Sequence, residues 1–163
     1  GGGTVRDLIL DVPVFWIGDF NYVWVAAVSS LLTFFLVRPF ERTQTLLLYL
    51  DGFGAALFAI AATEKVLGLG HAAPLAVMLG VWTSIGGGIA RDVLAGRPTL
   101  LMSREIYATP ILLGGALYIA LRALWPGAAW ASPAALTFIF AFRALVIHRG
   151  LQMPDVLSSH RPG

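Results

Sequence analysis

The chain has 163 residues, 58% of them hydrophobic and only 12% charged, with a formal net charge of +2 and no cysteine. A soluble domain carries about a quarter charged residues, so the composition excludes one, and the mean hydropathy of +0.80 points to a membrane domain instead. The small net charge gives no sign of a nucleic-acid partner, and the lack of cysteine excludes disulfide frameworks, thiolate metal sites and thiol nucleophiles.

At ~20 residues per crossing, this length holds at most seven or eight spanning helices. Residues 1–10 read as the second half of a broken helix and open on Gly1-Gly2-Gly3-Thr4-Val5-Arg6-Asp7. Residues 11–19 read as a loop with Pro13 and Gly18, and 20–37 as an apolar run stopped by Arg38-Pro39. Glu41 and Arg42 fall in a short turn. The next run, 46–66, carries Asp51 inside it and ends at Gly68 and Gly70. Run 74–94 is interrupted by Gly86-Gly87-Gly88-Ile89-Ala90-Arg91-Asp92, and Gly96-Arg97-Pro98 stops it. Run 106–124 ends at Trp125-Pro126-Gly127, and 131–147 is the last run. Residues 1–149 thus make a single transmembrane domain and 150–163 a polar cytoplasmic tail. The runs are apolar all round, which suits lipid or a bundle interior.

The glycine-Arg-Asp phrase occurs twice, 85 residues apart, inside apolar sequence. Three runs separate the copies, an odd number, so the copies cross the membrane in opposite directions. The predicted fold is an all-α polytopic membrane bundle of two inverted three-helix repeats plus one helix. The first repeat remains as 1–38, the second spans 46–124, and the extra helix is 131–147. The chain opens inside its own repeat, which predicts that the first helix and half of the second are absent from this sequence. Lys and Arg counts set the orientation. One face receives Arg6, Lys65 and Arg122; the other receives Arg38, Arg42, Arg91, Arg97, Arg104, Arg143, Arg149 and Arg161. The Arg-rich face is expected in the cytoplasm, with the C-terminus, and Arg143 and Arg149 as headgroup anchors. Trp16, Tyr22, Trp24, Trp125 and Trp130 form an aromatic belt at the other face.

Glycine weakens a helix by ~1 kcal/mol per residue relative to Ala, so the triplets permit a kink or local unwinding. Unwinding frees carbonyls that must find protein, water or an ion in hydrocarbon. Gly1, Gly2, Gly3 and Thr4 from one copy, with Gly86, Gly87 and Gly88 from the other, are therefore expected to line a path at mid-depth. Close packing of helices through small residues is the other reading. Thr83 and Ser84, one turn earlier, can offer hydroxyls to an ion or bond back to their own helix. Asp7 and Asp92 supply negative charge. Arg and Asp are adjacent in each copy, so their side chains leave the helix about 100° apart and are expected to seek other partners. Asp51 is the candidate for Arg91, since an unpaired charge at the bilayer centre costs ~3 kcal/mol. Arg6 and Lys65 complete the charged set; Lys65 either snorkels to the interface or tunes cation entry. Neither a zinc-protease, P-loop nor nucleophile-elbow pattern is present, so no enzyme, cofactor or metal site is expected.

The two glycine-Arg-Asp phrases, with Asp51-Gly52-Phe53-Gly54-Ala55 and Arg104-Glu105-Ile106-Tyr107-Ala108, resemble the prokaryotic TRIC (trimeric intracellular cation) channels, a group that overlaps the bacterial glycine-transporter domain family. The resemblance implies a homotrimer in a prokaryotic inner membrane. Each subunit would carry its own potassium pore, lined by the two glycine-kinked helices. Where animal members carry Lys-Glu-Val, this chain reads Thr63-Glu64-Lys65-Val66, so their regulation is not carried over. A cation channel is the first expectation, with potassium as permeant ion. A transporter of glycine or another small zwitterion is the second, and a structural membrane subunit the third.

Overall fold

The structure, a computed structural model, describes residues 1–36, 44–94, 96 and 107–149. Those residues form an all-helical bundle: α1 (Gly2–Ile9), α2 (Phe15–Gly18), α3 (Asn21–Leu36), α4 (Gln44–Gly68), α5 (Ala73–Leu94), α6 (Ala108–Leu124) and α7 (Ala131–Arg149). The expected turn at 38–42, the stop at Arg97-Pro98, the Arg104-Glu105-Ile106 phrase and the tail lie outside the described residues.

Helix α4 is the hub. It packs against α5, α6 and α7, while α1 lies against α5. Its inward face is alanine: Ala55, Ala56 and Ala59 meet Ile85 of α5, Ile111 and Tyr118 of α6, and Ala135 and Ile139 of α7. In lipid the hydrophobic effect does not drive helices together, so small residues that let backbones approach supply the contact instead. Gly114 works the same way, since a Cβ there would overlap the Ile139 side chain. At the far end of α4, Glu64 accepts hydrogen bonds from Tyr118 (3.1 Å) and from Ser132. These tie α4, α6 and α7 together beside the Gly127 turn, where φ is +84°.

Helices α5 and α7 are long and apolar enough to cross a membrane, with mean hydropathy 1.5 each, and α3 and α6 are shorter apolar helices. Large apolar side chains stay exposed on every long helix, Phe34 at 76% and Met78 at 66% among them. Surfaces of that kind on all sides belong against lipid. Helix α3 packs mainly on α2 and stands away from the hub.

Two expectations are corrected. Residues 11–19 are not all loop, because α2 makes one helical turn within them. The second glycine triplet does not unwind its helix: α5 runs unbroken from Ala73 to Leu94, and none of Gly86, Gly87 and Gly88 has positive φ. Keeping the helix keeps its carbonyls paired, the less costly state in apolar surroundings.

Candidate functional site

The triplets meet each other. A Cβ built on Gly1 would lie 3.1 Å from the Gly87 Cα, and one on Gly86 would lie 3.0 Å from the Gly2 Cα. A Cβ on Gly2 would overlap the Thr83 carbonyl, and one on Gly3 comes within 3.8 Å of the Thr83 methyl. As numbers rise along α1 they fall along α5, so the two helices cross antiparallel. Backbones this close leave no room for a methyl group, and that is what glycine supplies here.

Beside the crossing lies a cavity of about 500 Å³. At ~30 Å³ per water it has room for more than ten. Gly1, Gly2, Gly3 and Arg6 of α1 form one wall, and Thr83, Ser84, Gly87 and Gly88 of α5 another. Phe15 and Tyr22 cover a side. The remaining wall is a stripe along α4: Asp51, Gly54, Ala55, Phe58, Ala61 and Lys65. Those spacings keep to one helical face, and the 14 steps from Asp51 to Lys65 span ~21 Å. A carboxylate stands at one end of the stripe and an ammonium at the other. Gly87 and Gly54 face open space, with nothing within 4 Å of a Cβ on either. The Thr83 hydroxyl is buried and without a hydrogen-bond partner among the described residues. Ser84 donates back to the Val81 carbonyl at 2.7 Å, so its hydroxyl proton is already engaged by its own helix.

Each Arg-Asp pair closes on itself, against expectation. Arg6 Nε donates to Asp7 at 2.8 Å and Arg91 Nε to Asp92 at 2.9 Å. Neighbouring Cβ vectors do diverge, but the long arginine stem bends back far enough for Nε to reach the adjacent carboxylate. The same atoms pair in both repeats. Helix α4 then completes each end with opposite chemistry. Lys65 Nζ donates to Asp7 at 2.8 Å, so Lys65 is tied into the bundle instead of snorkelling out. Arg91 Nη1 lies 3.7 Å from Asp51 Oδ1.

Asp7 is fully buried and also accepts from the Phe15 amide at 3.1 Å, which fixes α2. Asp51 accepts from the Tyr107 hydroxyl at 2.9 Å. Arg143, expected at the headgroups, is instead fully buried, with its guanidinium 4.2 Å from the Tyr107 ring centre and 3.6 Å from Asp51 Oδ2. Its place on the inner face of α7 sets that, and an all-round apolar helix gives no sign of which face is inner.

Among the expected path residues, Gly86 sits in the crossing itself, and Asp92 is buried and engaged with Arg91. Thr4 accepts a hydrogen bond from Trp16 Nε1 at 3.1 Å and does not border the cavity. Sequence reading missed Gly54, Ala55, Phe58 and Ala61; their helical spacing between two charged residues was the available signal. Phe15, Tyr22 and Arg143 had none.

The family model described as "Glycine transporter" matches residues 1–38 and 48–123. A UPF0126 membrane protein of Vibrio cholerae is 44% identical over 117 residues, 71% of this chain and 49% of that protein. The UPF0126 inner membrane protein YadS of Escherichia coli is 42% identical over 120 residues, 72% of this chain and 58% of that protein. The chain therefore spans about half the length of these curated relatives. Among solved structures, the TRIC trimeric intracellular cation channel orthologue from Rhodobacter sphaeroides matches with a TM-score of 0.87 at 38% identity, covering 93% of this chain and 78% of that one. A second TRIC cation channel matches at 0.87 and 27% identity, covering 100% and 80%.

Proposed function

We infer that this chain, which belongs to the glycine-transporter family and within it to the prokaryotic TRIC channels, conducts monovalent cations, potassium foremost, through a path inside each subunit. The observation that carries the reading is the cavity walled by both glycine triplets and by the α4 stripe. Within it, Asp51 and the Thr83 hydroxyl, without a hydrogen-bond partner among the described residues, offer oxygen to a cation. Arg6 and Lys65 share the single carboxylate of Asp7, which leaves excess positive charge at that end. An attractive group and a repulsive one along the same path let an ion enter and also leave.

The other parts of the reading follow from sequence and family. The orientation places the C-terminus in the cytoplasm. Setting aside the buried Arg143 and Arg6 leaves seven positive residues on that face against two on the other, a bias that supports this orientation. A homotrimer follows from the TRIC relatives, and no cofactor enters the mechanism. The family description supports a second reading, uptake of glycine, in which the same cavity holds a zwitterion.

Proteoliposomes of the purified protein decide between them. A channel gives potassium flux that follows the electrical gradient without added substrate. Saturable glycine uptake with counterflow, and no potassium current, would replace the channel with a carrier. Neither activity would leave a structural subunit.

A further inference from the structure

The two ends of the cavity are built differently. At one end Asp7 is fully buried and holds Arg6 and Lys65 at 2.8 Å each. At the other, Asp51 stands between two guanidinium groups and touches neither closely: Arg91 lies 3.7 Å from one oxygen and Arg143 3.6 Å from the other. Its only short contact among the described residues is the Tyr107 hydroxyl, at 2.9 Å.

The two arginines are not equivalent. The Arg143 side chain is 1% exposed and that of Arg91 56%. None of the Arg143 guanidinium nitrogens has a hydrogen-bond partner among the described residues. The guanidinium lies over the Tyr107 ring and packs behind Gly52, where a Cβ would meet its Nε at 3.5 Å. The Arg143 side chain is almost wholly out of solvent, and its nearest counter-charge among the described residues is Asp51. Removing one partner of such a pair strands the other as a buried charge. Arg91, by contrast, already donates to Asp92 and stands beside the cavity at Gly88. Leaving Asp51 strands nothing, and exposed ion pairs are weak.

We propose that Arg143 is the fixed counter-charge of Asp51 and a positioning residue for the ion path, and that Arg91 is the exchangeable partner, a movable cation at this mouth. Arg143 acts from the one helix outside the repeat. It holds the Asp51 carboxylate in place against Tyr107 whether Arg91 is near or away. When Arg91 swings toward Asp92, Asp51 faces the cavity as an attractive site; when Arg91 returns, it occupies that carboxylate. The gating half of the proposal rests on the cavity being the ion path, and the pairing half does not.

The test compares melting temperature with potassium-to-chloride permeability in the purified protein. Arg91→Gln, whose amide can still donate to the buried Asp92 carboxylate, is expected to lose less than half of the melting temperature that Arg143→Gln loses. It should also raise the permeability ratio roughly threefold or more by removing a positive charge at the mouth. Arg143→Gln is expected to lose at least about 6 °C or to fail to fold. Asp51→Asn combined with Arg143→Gln should recover more than half of that loss, or restore folding. Arg143→Lys keeps the charge and should keep the parent's permeability ratio. Equal destabilisation by Arg91→Gln and Arg143→Gln, or a double variant no better than Arg143→Gln, would overturn the fixed pair. A folded Arg91→Gln with unchanged selectivity would overturn the gate. Should the parent protein conduct no ion, the melting data still decide the pairing, so failure of the channel reading stays distinguishable.

Discussion

A single methyl group separates two kinds of glycine at the crossing. Gly2 faces the Thr83 backbone, which cannot yield as a side chain does, so Gly2→Ala must push α1 off α5. Overpacking of this sort costs ~1–3 kcal/mol, and a lowered melting temperature of the purified protein would register it. Gly54→Ala meets open space in mid-helix and should hold or raise that temperature. Asp7 gives the second residue-scale prediction. Its carboxylate compensates Arg6 and Lys65 while fully buried, so Asp7→Asn strands buried positive charge, at a cost of ~3–5 kcal/mol. The same change at exposed Asp19, which accepts from the Asn21 amide at 3.0 Å, keeps a capping oxygen and is expected to cost about 0.5 kcal/mol or less. Thermal melts of the two variants side by side check the contrast. Adjacency in sequence hid the Arg-Asp pairing, because Cβ direction is readable from helical phase while the reach of a long side chain is not.

At the scale of elements, helix positions were legible because each run is long, apolar and closed by glycine or proline. The runs at 46–66 and 74–94 match α4 and α5 to within two residues at each end. The antiparallel relation of α1 and α5 was legible too, since the phrase repeats across an odd number of runs. The faces of the helices were not. Alternation between lipid, core and cavity leaves little contrast when all three take apolar residues, so hydropathy along α4 did not separate the inward Ala56, Ala59 and Ile60 from the cavity-lining Gly54, Phe58 and Ala61, and only their spacing between Asp51 and Lys65 could have done so. The native chain has no cysteine, which makes that division testable. Single cysteines at Gly54, Phe58 and Ala61 should react with a membrane-impermeant thiol reagent. Cysteines at Ala56, Ala59 and Ile60 should stay unlabelled until the protein is denatured. Equal labelling of both sets would mean that the α4 stripe does not face water.

At the scale of the molecule, the inverted repeat explains why one protein has two unlike mouths. The same Arg-Asp pair is presented at both ends, but α4 meets it once with Lys65 and once with Asp51. One end becomes a buried, tightly bonded lock and the other a looser, half-exposed arrangement backed by Arg143. Pseudo-symmetry supplies the scaffold, and the helix running between the mouths breaks it. In the glycine crossing, packing and cavity wall are two aspects of one arrangement: the backbones touch through Gly2 and Gly86, and Gly87, one residue on, opens to the cavity. That gives the most direct measurement. Potassium flux into proteoliposomes should be abolished, to the level of protein-free vesicles, by Gly87→Leu, while its melting temperature and oligomeric mass match those of the parent. A folded Gly87→Leu protein that conducts potassium like the parent would contradict the account.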